Sequence, residues 1–126
     1  MLTKLTGRFT RQQRLTQPSE FKNVFAKPCV KQGDASMLIL GIKNNHPTAR
    51  LGLAVAKKQL KHAVSRNRFK RLTRESFRHH LDIIKDLDVV VVARAGAEKR
   101  TNRELLETLS KNWHILRKKC EKLSQV

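Results

Sequence analysis

The chain has 126 residues, with 28 Lys and Arg against 10 Asp and Glu, for a formal net charge of +18. That length suits one hydrophobic core, and so large a cationic excess repels itself unless a polyanion neutralises it, which ranks nucleic acid ahead of an anionic membrane surface as partner. No run of about 20 apolar residues is present to cross a bilayer, and the first residues lack the apolar stretch of a signal peptide, so the sequence predicts a soluble, cytoplasmic protein.

A single domain is predicted over 1–126, opening with a basic, irregular arm over 1–17 in which Arg8, Arg11 and Arg14 recur at every third position. Pro18 and Ser19 offer helix-start chemistry, and Phe21, Val24 and Phe25 follow at i, i+3, i+4. A short amphipathic helix is therefore predicted over 19–27, with Pro28 ending it. Cys29 to Lys31 reads as the start of a short strand, and Gln32-Gly33-Asp34 as turn chemistry. Met37 to Ile42 is a dense apolar run, while Arg50 to Ala56 alternates with Leu51, Leu53 and Val55 on one face, which predicts two further strands. The segment 43–49, containing Asn44-Asn45-His46-Pro47, predicts an antiparallel hairpin between them.

The period turns helical at Ala63. Phe69, Leu72, Ser76, His80 and Ile83 form a predicted buried stripe that carries this helix to about Lys85. Val89 to Val92 is too β-branched and too short for anything but a strand, buried on both faces and broken by Gly96. Asn102 is the predicted N-cap of a last helix that places Leu105, Leu106, Leu109, Trp113 and Leu116 on one face. Arg117, Lys118 and Lys119 lie near the favourable end of its dipole, and 119–126 reads as a frayed tail. The order helix, three strands, helix, strand, helix predicts an α+β two-layer sandwich, a mixed four-stranded sheet packed by helices.

The stretch SRNRFKRLTRESFR, residues 65–78, holds six cations against Glu75 alone. At ~100° per residue with Arg66 at zero, Lys70, Arg74, Asn67, Arg78 and Arg71 fall between about 40° and 140°, while Phe69, Leu72 and Ser76 fall between about 240° and 300°. The charge is sorted to one face. Arg66, Lys70, Arg74 and Arg78 repeat at i, i+4, a like-charge pattern that costs roughly 1 kcal/mol and that solubility does not require. A phosphate backbone suits such a face, since Arg forks onto two oxygens and Asn adds a hydrogen bond. The element before this helix reads as a strand, which argues against a helix-turn-helix DNA module and for shape recognition of folded RNA.

Other chemistry is poorly supplied. Cys29 and Cys120 stand far apart without a C-x-x-C and read as reduced thiols, and the adjacent His79 and His80 point about 100° apart on a helix, so they cannot close on one metal. The carboxylates are dispersed, with Asp82, Asp86 and Asp88 around a helix end, and no nucleophile motif is present. No catalytic residue and no metal site is predicted for the protein itself.

The segments RLGLAVAKK (50–58), AVSRNR (63–68), Lys70-Arg71, Arg74-Glu75 and Phe77-Arg78 closely resemble the bacterial ribonuclease P protein subunit, including its RNR signature. DVVVVAR (88–94) and Phe21-x-x-x-Phe25 match at their places, so the likeness covers about residues 14 to 118. One departure is that Gln59 to His62 lacks the glycine many members carry there. The resemblance implies a protein that binds a large catalytic RNA, in a complex that removes the 5′ leader of precursor tRNA by Mg2+-dependent hydrolysis. It implies that Arg66, Asn67, Arg68, Lys70, Arg71 and Arg74 contact the RNA subunit, and Arg78 joins them on the same helix. It further implies a leader-binding cleft lined by Phe21, Phe25, Leu38 and Leu40, with Lys57 and Lys58 near its rim. The catalytic magnesium would be held mainly by the RNA, the partners are ribonuclease P RNA and precursor tRNA, and neither a membrane nor an obligate protein partner is expected. A ribosomal or RNA-chaperone protein would share charge and fold but bind without leader dependence. A membrane-surface protein would need a spare apolar helix face.

Overall fold

The structure is a computed structural model and describes residue 14, residues 30–44 and residues 48–124. Strands β1 (Val30–Gly33), β2 (Met37–Lys43), β3 (Arg50–Ala54) and β4 (Leu87–Ala93) form one mixed sheet in the order β1-β2-β4-β3. Helix α1 (Ala63–Arg78) and the short α2 (Leu81–Ile84) link β3 to β4, and a 3-10 turn (Ala95–Lys99) leads into α3 (Asn102–Ser124). The predicted α+β order holds from Val30 onward. The helix predicted over 19–27, with Phe21 and Phe25, and the arm apart from Arg14 lie outside the described residues.

The predicted hairpin between β2 and β3 does not form. β4 lies between them, antiparallel to β2 with Leu40 opposite Val90, and parallel to β3 with Leu53 opposite Val91. The reason is burial: Leu87, Val89, Val90 and Val91 retain no exposed surface, so the most apolar strand takes a central place and β3 an edge. The connection after β2 bends around the start of β4 instead. Asp88 accepts from Arg50 Nε at 2.8 Å and Nη2 at 2.6 Å, and from Asn44 Nδ2 at 2.7 Å, so one carboxylate ties both ends of that connection. The Arg50 and Asp88 side chains keep 14% and 10% of their surface, which makes this a largely buried, bidentate pair.

Alternation splits the sheet into two faces. Met37, Ile39, Leu51, Val89 and Val91 join the main core with residues of α1 and α3, while Leu40 and Val90 lie on the other face beside Leu38, Ile42, Ala54 and Val92. On α1 the buried residues are Phe69, Leu72, Thr73, Ser76 and Phe77. The polar Ser76 belongs there because its hydroxyl accepts from Trp113 Nε1 at 2.8 Å, and Phe77 meets the same indole edge-on at 6.2 Å.

Four boundaries differ from expectation. α1 ends at Arg78 rather than Lys85, where the backbone amides of His79 and His80 donate to the carbonyls of Ser76 and Phe77, and Ile84 of α2 is buried while His80 and Ile83 are half-buried. The cap of α3 is Thr101, not Asn102: Glu104 N donates to Thr101 Oγ1 at 3.1 Å and Thr101 N to Glu104 Oε1 at 2.9 Å, a reciprocal capping box. α3 runs to Ser124, past the predicted start of the tail, because Cys120 is buried and Lys119 Nζ donates to the Lys31 carbonyl and Gln32 Oε1.

The fourth is the first turn, where Gln32 and Gly33 stay in β1 and Asp34 makes the bend. Its Oδ1 accepts from Ser36 N at 2.7 Å, Ser36 Oγ at 2.6 Å and Met37 N at 3.3 Å. Partial burial opposes the charged carboxylate, but these bonds and nearby Arg100 outweigh it and hold the carboxyl below its usual range. Gly96 lies past the end of β4 and marks a close approach, since a Cβ there would stand 2.4 Å from the Ala35 carbonyl oxygen.

Candidate nucleic-acid interface

Helix α1 turns Asn67, Arg71 and Arg74 fully outward, with Lys70 and Arg78 half-buried on the same face, opposite its apolar stripe. Among the described residues no hydrogen bond or ion pair engages Lys70, Arg71 or Arg74. Those three cations, with the Asn67 amide, are presented to solvent.

The arginines that flank Asn67 behave differently. Arg66 Nη1 donates to the carbonyls of Leu60 and Lys61, both at 2.9 Å, closing the connection before the helix. Arg68 Nη1 donates to Asn102 Oδ1 at 2.7 Å and its Nη2 to the Ala97 carbonyl at 3.1 Å, on the flank toward α3.

A shallow cleft of about 360 Å³ opens beside the helix, lined by Arg14, Arg71, Arg74, Glu75 and Arg78. Arg14 reaches it because its backbone forms a parallel bridge to Leu51 of β3. Sequence reasoning placed Arg14 in an irregular arm, and a bridge to a distant strand leaves no local signal. Arg78 Nε is buried and has no hydrogen-bond partner among the described residues. Four guanidinium groups facing one carboxylate suit phosphate oxygens, each fork able to take two.

Lys57 and Lys58 are exposed on the turn that follows β3. The segment without a glycine closes through bonds from Gln59 N and Leu60 N to the Ala56 carbonyl, with Leu60 buried beneath it. Leu38 is half-buried on the second face of the sheet, whereas Leu40 retains 3% of its surface, so Leu40 supports that face rather than lining open space. Phe21 and Phe25 lie outside the described residues. Among the described residues no three His, Cys, Asp or Glu side chains gather as a metal would require, and no helix is long and apolar enough to cross a membrane.

A mixed sheet carrying a helix with a core-facing apolar stripe and an outward cationic face defines an α+β protein with a surface chemically suited to a polyanion. The chain belongs to the ribonuclease P protein family, whose profile matches residues 9–117. It is 45% identical over 116 residues to the ribonuclease P protein component of Pseudoalteromonas atlantica, covering 90% of this chain and 94% of that one. It is 44% identical over 111 residues to the component from Vibrio vulnificus, covering 88% and 93%. Among solved structures, the Staphylococcus aureus RNase P protein superposes with a TM-score of 0.75 at 29% identity, covering 82% of this chain and 94% of that one. The Thermotoga maritima RNase P protein gives 0.71 at 28% identity, covering 81% and 96%.

Proposed function

We propose that this protein is the RNA-docking and leader-holding subunit of a ribonuclease P ribonucleoprotein that cuts the 5′ leader from precursor tRNA. The observation that carries this reading is the one-sided α1, where Asn67, Lys70, Arg71 and Arg74 face outward with no protein partner among the described residues. These groups take phosphates of the RNA subunit, and Arg14 and Arg78 extend the grip across the cleft. Two polyanions, the catalytic RNA and its tRNA substrate, repel each other, and a protein of charge +18 between them lowers that repulsion.

The second face of the sheet, at Leu38 beside Val92 and Ile42, receives the single-stranded leader, with Phe21 and Phe25 offering rings on which bases stack at roughly 1 to 3 kcal/mol each. Lys57 and Lys58 hold leader phosphates at the rim. The hydrolytic magnesium ions are held mainly by RNA phosphates, since the chemistry needs clustered hard oxygen ligands, and the protein alone does not cut. A role on precursor tRNA puts its work in the cytoplasm.

The leader assignment has a direct test. Lys57→Gln combined with Lys58→Gln removes two exposed cations, each worth up to about 1 kcal/mol, and weakens the holoenzyme's binding of leader-bearing precursor by roughly tenfold. Binding of leaderless tRNA changes less than about twofold, as neither lysine meets it. Equal losses on the two ligands would remove the lysines from the leader path.

A further inference from the structure

We propose that Arg68, the second arginine of the RNR signature, is a positioning residue that clamps α3 and the 3-10 turn to α1 and does not itself contact RNA. This rests on the reading of α1 as the RNA face and divides the labour within it. At ~100° per residue from Arg66, Arg68 falls near 200°, between the outward cationic arc and the buried stripe. Both of its terminal nitrogens are already directed to protein acceptors, Nη1 to Asn102 Oδ1 and Nη2 to the Ala97 carbonyl. Among the described residues, Arg66 engages protein acceptors through Nη1 alone.

What Arg68 holds is the first residue of α3 and the middle of the 3-10 turn. Asn102 opens α3, one residue after the Thr101 cap. Ala97 sits at the centre of the 3-10 turn, is 1% exposed, and its carbonyl also accepts from Arg100 N. That turn is fixed on its far side to the β1–β2 bend, where Gly96 N donates to the Ala35 carbonyl and Arg94 Nη1 to the Asp34 carbonyl at 2.8 Å. On the near side, Ser65 Oγ donates to Glu98 Oε1 at 2.9 Å and Ala95 N to Gln59 Oε1 at 3.0 Å. Arg68 is thus one stitch in a polar seam joining the first turns of α1, and the Lys57-bearing loop before them, to the far edge of the sheet. Two acceptors from two elements call for a planar fork of donors, and Lys offers a single ammonium. The RNA-facing cations stay in register with the sheet because this seam is closed.

The test separates contact from positioning through the salt dependence of binding to in vitro transcribed ribonuclease P RNA. Each lost phosphate contact lowers the slope of log K against log salt by ~0.7 to 0.9. Lys70→Gln shows that drop. Arg68→Gln lowers the unfolding temperature and weakens binding about fivefold with the slope unchanged, because the number of phosphates met is the same. Asn102→Ala leaves every cation in place, yet reproduces both the weaker binding and the lower unfolding temperature, and adding it to Arg68→Gln causes no further loss. Arg68→Gln with a full drop in slope, or Asn102→Ala with wild-type RNA affinity, would overturn the assignment while leaving α1 as the RNA face. An unchanged slope in Lys70→Gln as well would remove α1 itself from the RNA interface, and the role of Arg68 with it.

Discussion

Trp113→Ala lowers the unfolding temperature by roughly 10 to 20 °C, the shift that a loss of about 3 to 5 kcal/mol produces in a domain of this size. Trp113 retains no exposed surface and is the largest of the fully buried side chains. Truncating it opens a cavity, removes the edge contact to Phe77 and strands the Ser76 hydroxyl inside the α1–α3 seam. The protein already carries the self-repulsion of +18, which leaves it less able to absorb such a loss. The indole is the chain's only tryptophan, so the transition is followed by circular dichroism rather than fluorescence. Trp113→Phe keeps most of the volume and recovers much of the stability. A shift below a few degrees for the alanine variant would mean that the seam does not carry the fold.

The second large effect is on RNA. Lys70→Gln, Arg71→Gln and Arg74→Gln in one chain weaken binding to ribonuclease P RNA on the order of 100-fold, from three charge-assisted contacts worth roughly 1 kcal/mol each. The salt slope falls by about 2 to 3. Stability rises slightly or stays level, because the substitutions relieve like-charge pairs at i, i+4 on α1 and break no bond to a described residue. Binding and unfolding measured on the same preparation separate the two effects. Unfolding that falls in step with RNA affinity would show these cations to be structural.

The sorted face of α1 was legible because helical period is a local property: charge and apolarity at fixed offsets reveal which side faces the core. The same holds for β4, whose four successive valines admit no other element. Strand partners were not legible. A hairpin between β2 and β3 is the local choice, but the sheet is ordered by burial, and β4 arrives from far along the chain to fill the place between them. The Asp88 carboxylate that ties Arg50 and Asn44 across that insertion could be recognised after the fact, as a lone acid at the mouth of an apolar strand.

Side-chain roles divided in the same way. The Thr101-x-x-Glu104 capping box stood in the sequence, and Asn102 drew attention away from it as an equally good cap type. No local pattern marks the destination of Arg68, because a guanidinium at about 200° can swing to either flank of its helix and the choice depends on where α3 begins. Arg14 reaches α1 through a bridge to Leu51, a pairing between segments that share no periodicity. The end of α3 beyond Lys118 misled for a simpler reason: the polar segment from Lys119 onward resembles a solvated tail, yet Lys119 spans back to β1.

The most direct test of the subunit's role is reconstitution at near-physiological magnesium, using in vitro transcribed ribonuclease P RNA and a precursor tRNA with its 5′ leader, with and without this protein. The predicted result is site-specific removal of the leader when both components are present, and no cleavage by either alone under those conditions. Protein that binds the RNA yet leaves cleavage unchanged, or RNA-free protein that turns over precursor after stringent removal of contaminating nucleases, would contradict that role.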